Sequence, residues 1–212
     1  MKKIRILIAD DHPIVRAGFK LVIADTQDMT VADEAANGQE VLNLIRKHDY
    51  DIVLLDISMP GRNGLEVLKD LKAEKPKLPV MILSIYPEEQ YAVRALRAGA
   101  SGYMTKASAP NELIAAIRKI SQGGKYISAS LAEKLTDYLD EDASKPLHEK
   151  LSDREYQVML LIASGKTVSD IADELCLSVK TISTYRSHIL EKMKLKNNAE
   201  ITLYAVQNKL VG

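Results

Sequence analysis

The stretch IVLLDISMPG, residues 52–61, runs an apolar, strand-like segment directly into a carboxylate, Asp56. A short apolar run with no polar alternation is typical of a strand that is covered on both faces, as in a parallel sheet. Asp56 then has two interpretations. It is either the solvated end of a strand or a group at the mouth of a pocket with a chemical role.

Similar segments surround this one through the first 125 residues or so. The strand-like segments are 4–10, 30–35, 51–56, 79–84 and 101–105. Segments with the apolar spacing of amphipathic helices are 37–48, 63–74, 88–99 and 110–121. Strands that alternate with helices indicate βαβ units, so the sequence predicts an α/β fold with a mainly parallel sheet.

Composition limits the classes of protein that the chain can belong to. Its 212 residues are enough for two small domains, and its formal net charge is +0. The single cysteine, Cys176, excludes a disulfide within the chain, and its place on the apolar side of a helix predicts a small core residue. No apolar stretch is long enough for a membrane span or a signal peptide. We therefore expect a cytoplasmic protein with no membrane partner.

The pattern changes after residue 125, and three regions are predicted. Residues 1–125 form the α/β domain, and 126–149 form a polar linker with room for a short helix. Residues 150–212 form an all-α domain, in which charge is unevenly distributed. Residues 151–177 carry a net charge of −3, whereas residues 178–212 carry six cationic and two anionic side chains, a net charge of +4. This concentrates positive charge on the last two helices.

Polar residues follow several of the predicted strands. The first strand ends at Asp10 and Asp11, the third at Asp56 and the fourth at Ser84, and the fifth is followed by Lys106. Ligands of open parallel sheets bind at the carboxyl ends of the strands, so these groups should meet at one edge.

Clustered carboxylates repel one another unless a cation compensates, and hard oxygen ligands suit Mg²⁺. A lysine suits a phosphoryl oxygen, so the set favours phosphoryl transfer to Asp56. His12 follows the acids, but no other histidine lies near it in sequence, and we do not assign it to a metal.

Four motifs, ADDH (9–12), LLDISMPGRNG (54–64), ILS (82–84) and GYMTK (102–106), resemble the receiver domain of two-component response regulators. The resemblance implies a flavodoxin-like, doubly wound, five-stranded parallel sheet. It implies that Asp56 accepts a phosphoryl group from a sensor histidine kinase. Asp10, Asp11, Asp56 and the backbone carbonyl of Ser58 would hold Mg²⁺.

The same resemblance implies that Ser84 and Lys106 contact the phosphoryl group and that Tyr103 is a switch aromatic. For Tyr103, simple packing at a strand end is the alternative. Two residues depart from the usual receiver pattern: bulky Ile85 follows Ser84, and Ala107 instead of proline follows Lys106.

The C-terminal segment has the spacing of a helix-turn-helix. Ser152 and Glu155 form a capping-box pattern, and a turn near 176–178 precedes a longer helix that Ser178 can cap. The predicted core face of this helix is Val179, Ile182, Ile189, Leu190 and Met193. The opposite face carries Lys180, Ser183, Thr184, Ser187 and Glu191, and its small hydroxyls and lysine can approach base edges. The flanking residues that can contact phosphates are Thr181, Tyr185, Arg186, His188, Lys192 and Lys194.

The stretch LSDREYQVMLLIASGKTVSDIADELCLSVKTISTYRSHILEKM (151–193) and the helix after it resemble the LuxR-type helix-turn-helix over residues 150–210. With the receiver motifs, the whole chain resembles response regulators of the NarL/FixJ type. This implies a DNA-binding transcription regulator that forms a homodimer on activation, binds promoter DNA and works with RNA polymerase.

Two other functions stay open at this point. One is an aspartyl-phosphate phosphatase of the haloacid dehalogenase type with Asp56 as nucleophile. Such enzymes need a second acid two residues further on, where this chain has Ser58. The other is an adaptor whose helical domain binds a protein instead of DNA.

Overall fold

A computed structural model describes residues 3–128, 131–132 and 146–211. The chain divides into two compact units, Met1–Ala132 and Glu133–Gly212. The predicted linker at 126–149, with its short helix, lies largely outside the described residues, so the predicted domain boundaries stay predictions. Over the residues described, no helix has the length and apolar character needed to cross a membrane.

Five parallel strands form the sheet of the N-terminal unit. They are β1 (Ile4–Ala9), β2 (Met29–Ala35), β3 (Ile52–Asp56), β4 (Val80–Ser84) and β5 (Gly102–Thr105), in the spatial order β2-β1-β3-β4-β5. The predicted strands are present, and the α/β fold class is confirmed.

Five helices flank this sheet: α1 (Pro13–Ala24), α2 (Gly38–Lys47), α3 (Gly64–Glu74), α4 (Glu88–Arg97) and α5 (Pro110–Ser121). One face of the sheet packs on α1 and α5 in a cluster that includes Ile8, Leu54, Ile23 and Ile117. Alternate strand residues such as Leu55 point to the other face because side chains alternate along a strand, and they are also fully buried. The continuous apolar runs of the sequence reflect this double burial.

Helix α1 was not predicted, since the sequence analysis identified only the other four helices of this region. Two of its large apolar side chains, Ile14 and Leu21, are 86% and 72% exposed, so its apolar residues do not mark a single buried face. Its N-cap residue, His12, makes no side-chain capping hydrogen bond, and Pro13 at the first helical position is the start signal that remains.

The order of the strands in the sheet determines at which edge a site can form. From β1 the chain passes to β2 on one side and then to β3 on the other, which opens a crevice at the carboxyl ends of these strands. In the ladders, Asp56 pairs with Leu83 and Ser84 pairs with Thr105. Strands β3, β4 and β5 therefore end at nearly the same level.

Over residues 146–211, the C-terminal unit contains a 3₁₀ helix at Leu147–Lys150 and four α-helices, α6 (Asp153–Ala163), α7 (Val168–Glu174), α8 (Val179–Met193) and α9 (Asn198–Gln207). Helix α6 packs against α8 and α9. Its predicted capping box is present, because Ser152 accepts from the Glu155 N–H and Glu155 accepts from the Ser152 N–H. Ser178 caps α8 through the N–H of Thr181, as predicted.

Two predictions for this unit are wrong. Cys176 is exposed and has a φ of 52°, so it occupies the left-handed position just after α7 instead of the core. Val179 is 52% exposed, although it was assigned to the core face of α8. Cys176 lies in the turn after α7, where no helical period applies, and Val179 is the first residue of α8, at the end of its buried face.

Candidate functional site

Three aspartates converge at the carboxyl edge of the sheet. One carboxylate oxygen from each of Asp10, Asp11 and Asp56, together with a ring nitrogen of His12, lies within 4.8 Å of all the others. Asp10 and Asp56 are 1% exposed. These residues lie close together, as predicted. The burial of Asp56 does not fit its interpretation as the solvated end of a strand.

Lys106 lies between two of these carboxylates. Its Nζ is 2.5 Å from Oδ2 of Asp10 and 2.8 Å from Oδ2 of Asp56. The backbone positions it, because the Lys106 N–H donates to the carbonyl of Ser84 at 2.7 Å. A buried pair of carboxylates is thus bridged by a single ammonium.

Burial and charge set the pKa values of this pair. Burial is the main cause that raises the pKa of Asp56, and the ammonium of Lys106 only partly opposes it. Burial lowers the pKa of Lys106, but the carboxylates of Asp56 and Asp10 outweigh it, and the net pKa is raised. The pocket therefore holds more negative charge than its lysine compensates.

The remaining polar atoms of the pocket suit a divalent cation. Within the described part of the chain, Oδ1 of Asp56 and Oγ of Ser58 are buried and have no hydrogen-bond partner at good geometry. The backbone N–H of Ser58 lies near the Asp56 carboxylate and lowers its pKa, but burial has the larger effect. Buried carboxylate oxygens without donors cost free energy unless a cation satisfies them. The donor set, all oxygen apart from one imidazole, fits Mg²⁺.

Ser84 and Tyr103 are connected through one residue of the β4–α4 loop. Oγ of Ser84, which is buried, accepts from the N–H of Tyr86 at 3.1 Å. The hydroxyl of Tyr103, whose ring is fully buried, donates to the carbonyl of Tyr86 at 2.9 Å. A movement of the Ser84 hydroxyl would therefore change the peptide groups that hold Tyr103.

Helix α8 presents the predicted polar face to solvent. Lys180, Ser183, Thr184 and Ser187 are all exposed. The hydroxyl of Thr184 donates to the carbonyl of Lys180 at 3.0 Å, and that of Ser187 donates to Ser183 at 3.0 Å. With their protons directed to the helix, these hydroxyls offer acceptor lone pairs outward, beside a lysine.

The predicted flanking residues of α8 have different surroundings. Thr181 bonds to the hydroxyl of Ser178 at 2.8 Å, and Arg186 donates to Oδ1 of Asn198 at 2.6 Å. Tyr185 is partly buried. These residues lie near the helix start or against α9, and their contacts with phosphates stay predictions.

Glu155 of α6 engages the other two flanking residues. Nζ of Lys192 lies 2.7 and 2.6 Å from the two carboxylate oxygens of Glu155, and Nδ1 of His188 lies 3.6 Å from Oε1. Burial raises the pKa of Glu155, but the bonds from Lys192 and Ser152 outweigh it, and the net pKa is lowered. Lys192 is thus tied to α6, and its predicted contact with DNA stays a prediction.

Comparison with known families identifies the two units. Residues 6–118 match the response regulator receiver domain, and residues 149–205 match the luxR family of bacterial regulatory proteins. Response regulator GacA of Pseudomonas aeruginosa is 37% identical over 210 residues, covering 98% of each chain. The chain belongs to the two-component response regulators and carries a LuxR-type DNA-binding domain.

Two further relatives align with this response regulator over almost the full length of both chains. Response regulator UvrY of Escherichia coli is 32% identical over 208 residues, covering 98% of this chain and 95% of UvrY. The structure of RcsB from Salmonella enterica serovar Typhimurium, bound to promoter P1flhDC with the phosphomimetic BeF₃⁻, is similar at a TM-score of 0.61. That pair is 27% identical, over 96% of this chain and 98% of RcsB.

Membership of the family bears on the chemistry of both domains. Receiver domains typically bind Mg²⁺ at an acidic pocket, and the aspartates of this response regulator form such a pocket. The receiver implies a kinase as phosphodonor, and the LuxR-type domain implies promoter DNA as partner. The matched luxR family is a family of bacterial regulatory proteins and not a family of catalytic enzymes.

Two residues near these sites were not identified from the sequence of this response regulator. His12 was set aside, but its ring reaches the carboxylate cluster. Glu155 was read only as a capping residue, but it also holds α8. The run ADDH did carry a signal for His12, whereas no local pattern links Glu155 to Lys192, 37 residues away.

Proposed function

We propose that this response regulator accepts a phosphoryl group on Asp56 from a sensor histidine kinase. In its phosphorylated form it dimerises and binds promoter DNA through the helix at 178–193. The observation that carries the proposal is the buried carboxylate of Asp56, 2.8 Å from the ammonium of Lys106 and beside two further aspartates. Asp10, Asp11, Asp56 and the backbone carbonyl of Ser58 would hold Mg²⁺.

The group transfer is a single displacement at phosphorus. A carboxylate oxygen of Asp56 forms the new P–O bond while the P–N bond of the donor phosphohistidine breaks. The donor imidazole leaves with the bonding electron pair and takes a proton from solvent. Bound Mg²⁺ would offset the negative charge of the reacting oxygens. Lys106 is already positioned to attract an oxygen of the transferred group.

The phosphoryl group would be sensed through the β4–α4 loop. It adds a charge of about −1.5 to −2 and three acceptor oxygens, which can attract the hydroxyl of Ser84. That hydroxyl now accepts from the N–H of Tyr86, while Tyr103 donates to the carbonyl of the same residue. A change at Ser84 is therefore transmitted to Tyr103, which supports a switch role for both residues.

The DNA-binding half rests on the exposed face of α8 and on the basic charge of residues 178–212. RcsB, a structural relative, is bound to a promoter in the presence of a phosphomimetic. Leu203 and Val206 of α9 are 57% and 52% exposed and would pair two copies of the chain. Such a dimer would bind half-sites about 10 bp apart and would meet RNA polymerase at the promoter.

A salt titration tests whether the C-terminal unit binds DNA or a protein. With random duplex DNA we expect affinity to fall at least about tenfold between about 50 and 200 mM salt, because phosphate contacts release counterions. The measurement is fluorescence anisotropy with the full chain, before and after phosphorylation. Absence of binding at every salt concentration, even after phosphorylation, would contradict DNA binding and favour the adaptor.

Substitutions on α8 test the assignment of the base-reading face. Lys180→Ala, Ser183→Ala and Thr184→Ala should each weaken binding to a selected site by about 1–3 kcal/mol for a lost base contact, with a smaller effect on random DNA. Lys47→Ala, which removes an exposed lysine of α2, is the control and should change neither affinity. If the three variants lower specific and random binding equally, these residues do not read bases.

A further inference from the structure

The imidazole of His12 lies at the open side of the carboxylate cluster. Nδ1 of His12 is 2.7 Å from Oδ1 of Asp11 and 3.4 Å from Oδ1 of Asp10. The side chain is 65% exposed, whereas the Asp10 side chain beside it is 2% exposed. The cluster is therefore a buried set of oxygens with one nitrogen at its rim.

The backbone fixes His12 in this place. Its N–H donates to Oδ1 of Asp10 at 2.9 Å, which folds the chain after β1 back over the acids. His12 is also the N-cap residue of α1, with an extended backbone and no side-chain capping bond. The helix does not use the imidazole as a cap, so a cation in the cluster can bind the ring in exchange for its contact with Asp11.

We propose that His12 is a further metal ligand, which allows the pocket to bind transition-metal ions that prefer nitrogen, such as Ni²⁺ or Zn²⁺, in the place of Mg²⁺. This inference rests on the proposed cation site at Asp10, Asp11 and Asp56. A second observation supports it: both carboxylate oxygens of Asp56 are buried without a well-aligned hydrogen bond among the described residues, and one of them belongs to the cluster that includes His12.

The chemistry of the donor atoms separates the two kinds of ion. Mg²⁺ prefers oxygen ligands and keeps several waters, so it gains little from an imidazole. Ni²⁺ and Zn²⁺ both bind imidazole well. His12 would therefore increase the affinity for Ni²⁺ much more than the affinity for Mg²⁺.

Calorimetric titration of the full chain with MgCl₂ or NiCl₂ tests the proposal. All variants carry Cys176→Ser, which removes the exposed thiol as a competing nickel ligand. His12→Asn keeps a polar side chain that can still bond to Asp11. We expect it to weaken Ni²⁺ binding at least about tenfold and to leave Mg²⁺ binding within about twofold. His48→Asn, at an exposed histidine of the same unit, is the matched control and should change neither.

A proton NMR spectrum gives a second, direct readout. Ni²⁺ bound to the parent protein should produce a strongly shifted, exchangeable imidazole N–H signal, which His12→Asn should lack and His48→Asn should keep. Added Mg²⁺ should reduce this signal, because both ions would occupy one site.

Three outcomes would overturn the inference while the proposed cation site stands. In the first, His12→Asn weakens both ions equally, so His12 only positions Asp11. In the second, it weakens neither ion. In the third, Mg²⁺ and Ni²⁺ bind without competition. A parent protein that binds no Mg²⁺ at all would instead contradict the proposed phosphoacceptor site, and this inference with it.

Discussion

Replacing Asp56 with asparagine is expected to lower phosphoryl incorporation at least about 1000-fold, because the amide cannot act as the nucleophile. The measurement is Mg²⁺-dependent transfer of label from a phosphorylated sensor kinase to the full chain. Asp25→Asn, at an exposed carboxylate just after α1, is the matched control and should be labelled like the parent. Undiminished labelling of the Asp56 variant would place the phosphoacceptor elsewhere.

The same substitution is expected to increase stability at neutral pH. Burial raises the pKa of Asp56 above 3.8, so the folded protein holds this proton more tightly than the unfolded chain does. The contribution of Asp56 to folding is thus greatest at acid pH and decreases as the pH rises from about 3.8 through the raised folded pKa.

Asparagine mimics the protonated group at every pH. The melting temperature of Asp56→Asn should therefore exceed that of the parent at pH 7 and approach it under acid conditions. An equal difference at both pH values would show that the effect is not electrostatic. A variant that is less stable at pH 7 would contradict the raised pKa.

Gly64→Ala is expected to destabilise the N-terminal unit by about 3 kcal/mol or more, which lowers its melting temperature by about 10 °C. Gly64 is the first residue of α3, and a Cβ there would lie 2.1 Å from the backbone oxygen of Asp56 and 2.8 Å from Cα of Ile57. Both neighbours are backbone atoms, so the helix and the end of β3 must separate. Phosphoryl incorporation should fall as well, because Asp56 moves with its backbone.

Gly18→Ala is the matched control for this prediction. Gly18 lies in α1, and a Cβ there would meet nothing within 4 Å. The same change should therefore stabilise the unit by about 0.5–1 kcal/mol, because alanine favours the helix. Thermal unfolding monitored by circular dichroism compares the two variants. Equal effects of the two substitutions would show that close contact at Gly64 does not limit the fold.

The sheet and the acid pocket were predictable from the sequence because both depend on local patterns. Strands buried on both faces leave continuous apolar runs, such as that before Asp56, and parallel strands bring their carboxyl ends to one edge. The α/β fold and the proximity of Asp10, Asp11, Asp56 and Lys106 follow from these two rules. Capping by Ser152 and Ser178 was predictable for the same reason, since a cap acts within three residues.

Features that depend on tertiary contacts were not predictable. Helix α1 was missed although Phe19, Val22 and Ile23 have helical spacing and pack on the core, because the exposed apolar residues Ile14 and Leu21 obscure that stripe in the sequence. Cys176 resembled a core residue, but the chain turns there in a left-handed conformation. The shared contact of Ser84 and Tyr103 with Tyr86 depends on how β5 lies beside β4, which no local pattern encodes.

The carboxylate of Glu155 ties α8 to α6, and this affects how genetic data on the protein should be interpreted. Its side chain is only 4% exposed and belongs to a different helix from the face proposed to read bases, yet both of its oxygens bind Lys192. A screen for loss of promoter repression or activation would therefore recover substitutions at Glu155 together with those of residues that touch DNA. A substitution at Glu155 would act by displacing α8, without removing a contact with DNA. A second substitution that restores the ion pair with residue 192 would rescue such a mutant and would not rescue a mutant that lacks a DNA contact.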